Sequence, residues 1–230
     1  MMGPSAAPMK LALDHLVVAA RTLAEGTQWC EATLGVAPGQ GGRHTLFGTH
    51  NALVKIASAA FPRAYLEIIA IDPGADAAAR LPRPRWFALV DPGLQARIAA
   101  APRLVHRVAR SEEPAAHRAA LAAAGHDPGT PLQAWRDTPR GRLEWEITVP
   151  ADGALACGGA LPTLIRWRGA HPADALPAAP VRLRVLQLRG LPPRIGELFG
   201  LAGVQRDAAP GPALRAVLDT PRGQITLESP

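Results

Sequence analysis

One order of predicted elements, strand–helix–strand–strand–strand, occurs three times in this sequence, and it constrains the fold more than any other feature. The three passes cover residues 11–73, 103–170 and 181–229, and residues 74–102 connect the first two. A repeated unit of this size is a supersecondary module that buries its apolar face against its neighbours. The pattern predicts an α+β fold in which β-α-β-β-β modules form curved mixed sheets around a cup, with the helices packed outside.

Turn and cap residues support the first two modules. Thr22 stands where a helix N-cap is expected, and Gly35 and Gly125 follow the predicted helices in the usual C-terminal position.

When LDHLVVA is superposed on LVHRVAR, His15 aligns with His106. The sequence therefore predicts two histidines at equivalent positions of two first strands.

Strand alternation assigns side chains to faces. In the first strand it predicts that His15 and Asp14 point to opposite sides of the sheet. In YLEIIAI it predicts one face that carries Tyr65, Glu67 and Ile69.

Two pairings of the modules are compatible with the sequence. Modules one and two bring His15 and His106 together. Modules one and three match better in sequence, because residues 51–67 and 212–228 share a strand start, a Pro-Arg turn and a closing Leu-Glu. In the first arrangement the third unit covers an edge or mediates pairing between two chains, so a homodimer is a candidate assembly.

Charge and apolar runs exclude several classes of function. The net charge is +6, but 23 of the 25 basic residues are arginines spread along the chain, which does not form the basic stripe typical of a nucleic-acid-binding protein. The longest apolar runs, such as 16–20, are far shorter than the ~20 residues that span a bilayer. No signal peptide is evident, and Cys30 and Cys157 stand alone, as in a reducing compartment. These features predict a cytoplasmic protein without a nucleic-acid or membrane partner.

The segments LDHLVVAA, GTHNALV and YLEIIA resemble the glyoxalase-like domain family of the vicinal oxygen chelate superfamily. The resemblance covers most of residues 11–170 in element order. It implies that paired modules form a cup that holds a divalent metal ion, with His15, Glu67 and His106 as ligands. Two imidazoles and a carboxylate suit Fe, Mn, Ni, Co or Zn. Such a metal acts as a Lewis acid on a substrate that carries vicinal oxygens.

The second module departs from the family pattern at its last strand. That strand reads LPTLIRW, with Arg166 near the position where an acidic ligand is expected. An arginine there predicts contact with a carboxylate-bearing substrate. His50, Asn51 and Trp86 are the other predicted substrate contacts, although Trp86 also suits a module junction. The remaining histidines, at positions 44, 117, 126 and 171, are predicted to lie on the surface or in loops.

The sequence thus supports a divalent-metal-dependent lyase, isomerase or dioxygenase that acts on a small oxygenated metabolite. A metal-free protein that binds and sequesters a small molecule in the same cup is the alternative. A structural module that keeps the fold without a site is a third reading. Fold-level resemblance does not decide among them, because this superfamily hosts several activities.

Overall fold

A computed structural model describes residues 9–75, 85–201 and 203–230. The first module contains β1 (Met9–Ala19), α1 (Leu23–Leu34), β2 (Gly39–His44), β3 (Thr49–Lys55) and β4 (Tyr65–Ile71). After the connecting helix α2 (Pro92–Ala100), the second module contains β5 (Arg103–Arg110), α3 (Pro114–Ala123), β6 (Thr130–Thr138), β7 (Gly141–Val149) and β8 (Thr163–Arg168). The α+β prediction and the predicted element order are confirmed.

The first two modules share one curved mixed sheet. Its strand order is β2-β3-β4-β1-β5-β8-β7-β6, so the modules meet where β1 pairs antiparallel with β5. Each module pairs its first strand with its last in parallel, β1 with β4 and β5 with β8. The edge strands β2 and β6 approach each other across the open side, which makes the sheet a nearly closed cup.

The predicted caps of α1 are present. Thr22 accepts a hydrogen bond from the backbone N–H of Glu25, and Gly35 has a φ of 72°, the left-handed conformation that ends many helices. In the connector, α2 begins after Asp91, whose side chain accepts from the backbone of Leu94. Within the described part of the chain, no helix is long and apolar enough to cross a membrane.

The third unit forms a sheet of its own. A short helix, α4 (Pro172–Ala175), lies in the linker that precedes it. The unit itself contains β9 (Arg182–Arg189), α5 (Pro193–Leu198), β10 (Phe199–Leu201), β11 (Val204–Asp207), β12 (Leu214–Thr220) and β13 (Gly223–Glu228). The strand order is β11-β9-β12-β13. In the first two modules the first strand pairs with the last, whereas here the first strand, β9, lies between β11 and β12. Strand β10 leaves this sheet and pairs with β1.

This second sheet packs against the outer face of the first module. Its apolar residues share one buried cluster with residues of β1, α1, β3 and β4. The third unit contributes Val181, Leu183, Leu186, Leu188, Leu214, Ala216, Leu218 and Leu227 to that cluster. The outer face of β1 is therefore covered in part by residues from a distant part of the chain.

The concave face of the cup is partly filled by the connector. Trp86 and Phe87 stack at 4.9 Å, and Trp86 also stacks on Phe47 at 4.0 Å. Leu94 and Ile98 of α2 join the same buried cluster. Because these side chains occupy one part of the cup, the open space that remains lies between the first module and strands β6, β7 and β8.

Candidate functional site

A β-bulge in β1 brings two polar residues into the cup. The pairing of β1 with β5 shifts between Leu13 and His15, so Asp14 is the extra residue. Leu13 and Leu16 pack together in the outer cluster, three positions apart instead of two. The prediction that Asp14 and His15 point to opposite faces is wrong, because the bulge interrupts the alternation on which it rests.

Asp14 is a fully buried carboxylate with three hydrogen-bond donors. Its Oδ1 accepts from Nδ1 of His15 at 2.8 Å, and its Oδ2 accepts from Nε2 of His171 at 2.9 Å and from the Trp167 indole at 3.0 Å. His171 in turn accepts the backbone N–H of Ala173 on its Nδ1. The Asp14 contact therefore fixes the orientation of His15 and directs its Nε2 into the cup.

The charges of Asp14 and His15 stabilise each other. Burial alone would raise the pKa of Asp14, but the hydrogen bonds from His15 and His171 outweigh it and lower that pKa below its usual range. Burial would likewise lower the pKa of His15, yet Asp14 and Glu67 raise it to about 9. His15 is accordingly an imidazolium at neutral pH, with carboxylates on two sides.

Glu67 faces His15 from the neighbouring strand, as the alternation of β4 predicts. Its Oε2 lies 3.5 Å from His15 Nε2, and its Oε1 accepts from Nδ2 of Asn51 at 2.5 Å. Burial would raise its pKa, but the His15 contact, the His44 charge and the Asn51 hydrogen bond lower it to about 2. The site thus holds a buried carboxylate and a buried imidazolium side by side.

His44 of β2 completes this group, contrary to its predicted surface position. It is buried, its Nε2 lies 3.9 Å from Glu67 Oε1, and its Nδ1 lies 3.1 Å from the Thr49 hydroxyl. The Trp86 indole donates to the same hydroxyl. Burial is the main cause that lowers the pKa of His44 to about 4, so this ring is neutral at pH 7.

His106 is equivalent to His15 in the strand ladder but makes other contacts. His15 pairs with Val108 and Val17 pairs with His106, which is the relation expected for a twofold arrangement of two modules. The His106 ring bonds to the Gly159 carbonyl through Nδ1 and to Thr163 through Nε2. Phe87 lies 5.2 Å from it. Both ring nitrogens of His106 are therefore engaged within the second module.

These contacts bear on the metal site implied by the resemblance. His15 and Glu67 come together, whereas neither nitrogen of His106 is free to bind the same ion. Within residues 9–75, 85–201 and 203–230, no group of three or more His, Cys, Asp or Glu side chains has an arrangement that could hold a metal ion. The predicted three-ligand set does not fit this packing.

The structure places Arg136, and not Arg166, at the cup. Strand β8 directs Ile165 and Trp167 inward, so Arg166 between them is exposed on the outer face. The prediction that Arg166 enters the cup is corrected by this alternation. Arg136 of β6 is half-buried, and its Nη1 donates to Asn51 Oδ1 at 3.3 Å.

The other predicted substrate contacts divide between the two faces. Asn51 lies in the cup beside Glu67, and Trp86 lines the space next to it. His50 precedes Asn51 on β3 and points to the opposite side, where its Nδ1 lies 4.0 Å from Asp72. His50 is thus not brought together with the other predicted contacts.

The open space consists of an inner chamber and an outer vestibule. The inner chamber has a volume of about 30 Å³ and lies against His15, Glu67 and Asn51. That volume holds roughly two water molecules. The vestibule has about 390 Å³ and shares Trp86 and Arg136 with the chamber. A small molecule fits the vestibule and can extend one group inward.

Three buried histidines were not predicted. His44, His117 and His171 are each at most 9% exposed. His117 bonds to Ser111 and to the Glu113 carbonyl, away from the cup. For His44, the glycine-rich strand GQGGRH shows no alternation of apolar residues that would mark the ring as buried. His171 also carries no signal in the sequence, because only its contact with Asp14, 157 residues away, makes it part of the site.

A solved structure shares the fold at low sequence identity, and others align with lower scores. A hypothetical protein from Staphylococcus aureus superposes with a TM-score of 0.55 at 14% identity, over 95% of this chain and 86% of that one. Methylmalonyl-CoA epimerase from Streptomyces coelicolor gives 0.43 at 15% identity, over 72% and 99%. The Mycobacterium tuberculosis epimerase gives 0.37 at 16% identity, over 76% and 97%.

The sequence was also compared with curated proteins and with family models. No curated protein matches it significantly. The family model described as "Glyoxalase-like domain" matches residues 13–194, which include both modules of the cup. The chain therefore belongs to the glyoxalase-like domain family.

Proposed function

We propose that this protein is an enzyme that moves a proton on a small oxygenated metabolite bound in the cup, with His15 and Glu67 as the acid–base pair. The observation that carries the proposal is their buried contact, at 3.5 Å, at the base of the open space. Two neighbouring titratable groups whose pKa values are shifted in opposite directions are typical of acid–base sites.

The roles follow from the charges. A substrate carbonyl oxygen that enters beside His15 accepts the Nε2–H hydrogen bond in place of Glu67. Glu67 then loses its strongest partner, so its basicity rises and it can remove a proton from the carbon next to that carbonyl. The resulting negative charge develops on the oxygen held by His15, and Asp14 keeps the imidazolium in place. Glu67 then returns a proton, either the original one or one exchanged with solvent, to the same carbon and completes the cycle.

Deuterium exchange measures this step without knowledge of the product. We expect the protein to accelerate exchange of the carbon-bound proton for solvent deuterium in at least one compound of a panel of 2-oxo, 2-hydroxy and malonyl-type compounds, followed by NMR in D₂O. Glu67→Gln removes the base and should lower the rate at least about 100-fold. Glu144→Gln, an exposed position on β7, is the control and should keep the rate.

Two results would count against the proposal. One is wild-type protein that exchanges no compound of the panel. The other is a Glu67→Gln variant that keeps the wild-type rate while it folds normally by circular dichroism. A loss of rate in Glu144→Gln would show that the readout follows general damage instead of the site.

Metal dependence stays a prediction from the family resemblance. His15 and Glu67 would be ligands of Fe, Mn, Ni, Co or Zn, and His106 would have to leave its contacts with Gly159 and Thr163. Elemental analysis of protein purified without a histidine tag decides this point. Stoichiometric metal in the wild type that is lost in both His15→Ala and His106→Ala supports the three-ligand site; metal that is lost only with His15 excludes His106.

The alternative is a metal-free protein that binds and sequesters a small molecule. The vestibule favours it, since tryptophans line a space that is large enough for a ligand while the inner chamber is small. Compounds that raise the melting temperature but show no deuterium exchange would identify a binding protein. A compound that both raises the melting temperature and exchanges its carbon-bound proton for deuterium identifies an enzyme.

A further inference from the structure

Arg136 is a cation at the entrance of the inner chamber without a carboxylate partner among the residues that the structure describes. Many other arginines pair with acids, as Arg189 does with Asp207 and Arg142 with Asp137. The second arginine of the vestibule, Arg43, lies 3.4 Å from Asp72. Arg136 thus differs from its neighbours, and a half-buried guanidinium favours an anion that can accept several of its N–H groups.

Asn51 keeps Arg136 apart from the buried carboxylate. Its Oδ1 accepts from Arg136 and from the backbone N–H of Gly42 at 2.7 Å, while its Nδ2 donates to Glu67. The Gly42 contact fixes which end of the amide faces the arginine. One amide group therefore stands between Arg136 and Glu67, and its oxygen is a neutral acceptor, so the charge of Arg136 stays available to a ligand.

Aromatic side chains form much of the surroundings of Arg136. The vestibule is lined by the aromatic residues Phe47, Trp86, Trp135 and Trp145 and by the polar residues Arg43, His44, Thr45 and Gln133. Its volume of about 390 Å³ lies within the range of small-molecule sites. A guanidinium in such a setting binds an anion more strongly than a solvated one does, because the low local dielectric strengthens the charge interaction.

We propose that Arg136 anchors the carboxylate of the substrate, and that the substrate is a carboxylic acid with a flat apolar substituent. This inference rests on the proposed function in one respect: the carbon that reacts must lie between Arg136 and the His15–Glu67 pair. Because only the Asn51 amide separates Arg136 from Glu67, the carboxylate lies on the reacting carbon or on its neighbour. The apolar substituent occupies the vestibule beside Trp86 and Trp145.

Calorimetric titration with matched probes tests the anchor. The acids are benzoylformate, phenylpyruvate and phenylmalonate, and each is paired with its neutral amide. We expect wild-type protein to bind at least one acid at least tenfold more tightly than its amide. Arg136→Gln should abolish this preference, and Arg136→Lys should keep part of it because the charge remains without the planar fork. Arg166→Gln, the exposed arginine on β8, should bind like wild type.

A second variant tests the part played by Asn51. Asn51→Asp has nearly the same shape but offers Arg136 a carboxylate, and it also replaces the Nδ2 donor to Glu67 with an oxygen. The amides serve as the reference for that second change, because their binding gains nothing from the charge of Arg136. The new ion pair should lower the affinity for the acids at least tenfold and leave the affinity for the amides within about twofold. Circular dichroism confirms that both variants fold.

The proposal is overturned if wild-type protein binds none of the acids better than its amide, or if Arg136→Gln keeps the preference. It is also overturned if Arg166→Gln loses the preference as Arg136→Gln does. Failure of the proposed catalysis gives another pattern, namely Arg136-dependent binding of acids without deuterium exchange. Exchange that depends on Glu67 but not on Arg136 would retain the catalysis and reject the anchor.

Discussion

Asp14 is the residue on which the charge distribution of the site depends. A fully buried carboxylate is costly unless several donors compensate it, and His15, His171 and Trp167 supply those donors. The contact with His15 has the form found in many catalytic sites, where a buried acid orients an imidazole and stabilises its protonated form. Asp14 acts through His15 and is a positioning residue.

The raised pKa of His15 predicts how stability depends on pH. The folded pKa is about 9, above the ordinary value of 6.5, so the stabilisation is complete below pH 6.5 and is lost as the pH rises through 9. Asp14 and Glu67 have lowered pKa values and lose their stabilisation below about pH 4. His44 adds a loss on the acid side that begins at pH 6.5, because burial lowers its pKa to about 4 and the unfolded chain binds that proton first. We expect the free energy of unfolding, measured by urea denaturation, to be largest near pH 6.5.

Asp14→Asn should flatten the alkaline side of that profile. Without the carboxylate, the pKa of His15 falls toward 6.5 and the free energy of unfolding at pH 6 drops by about 3 kcal/mol. The His15 pKa can be followed by NMR of the imidazole protons. Asp219→Asn, at a partly exposed ion pair, is the control and should retain the wild-type profile. An unchanged His15 pKa in Asp14→Asn would contradict the assigned role.

At the scale of elements, strand β2 shapes the entrance through two adjacent glycines. Its pairing with β3 shifts between Gln40 and Arg43, so Gly41 and Gly42 form an irregular segment. A side chain on Gly41 would collide with the backbone and amide of Asn51, whereas one on Gly42 would meet only the end of Arg136, at 2.6 Å. The two positions have different neighbours and should respond differently to the same substitution.

We expect Gly41→Ala to lower the free energy of unfolding by about 2 kcal/mol or more, because backbone must move. Gly42→Ala displaces a flexible side chain, so it should cost less than about 1 kcal/mol while it weakens the preference for acids over amides. Thermal and urea denaturation measure the first effect, and calorimetry measures the second. Equal loss of stability in both variants would contradict the distinction.

The elements also show which features of the fold and site were predictable from sequence. The repeat order and the caps of α1 were predictable because they depend on local patterns. The bulge at Asp14 was not, since no residue type marks it and its effect depends on β5. The sequence pointed to Arg166 and not to Arg136. Strand alternation separates two faces of β6 and of β8, but only the closed sheet shows which face lines the cup. Long-range contacts, not local pattern, complete the site.

For the whole molecule, the third unit supports the cup from behind. Its sheet shares a buried cluster with Leu16 and Val18 of β1, the strand that carries Asp14 and His15 on its other face. Its strand order differs from that of the first two modules, so the repeated element order produces a different packing. A shared core predicts that the third unit and the cup unfold together as one cooperative unit.

The distribution of tryptophans makes this prediction testable. All five tryptophans precede residue 168, so their fluorescence reports on the first two modules, while Leu186 lies in β9 of the third. Leu186→Ala removes a fully buried side chain from the shared cluster and should cost about 2 to 5 kcal/mol. Because the core is shared, the fluorescence and far-UV circular dichroism transitions should both move to lower temperature and coincide.

Val185→Ala is the control, because Val185 is only half-buried next to Leu186, and it should shift both transitions much less. A fluorescence transition that stays at the wild-type temperature in Leu186→Ala would mean that the cup is stable without the third sheet.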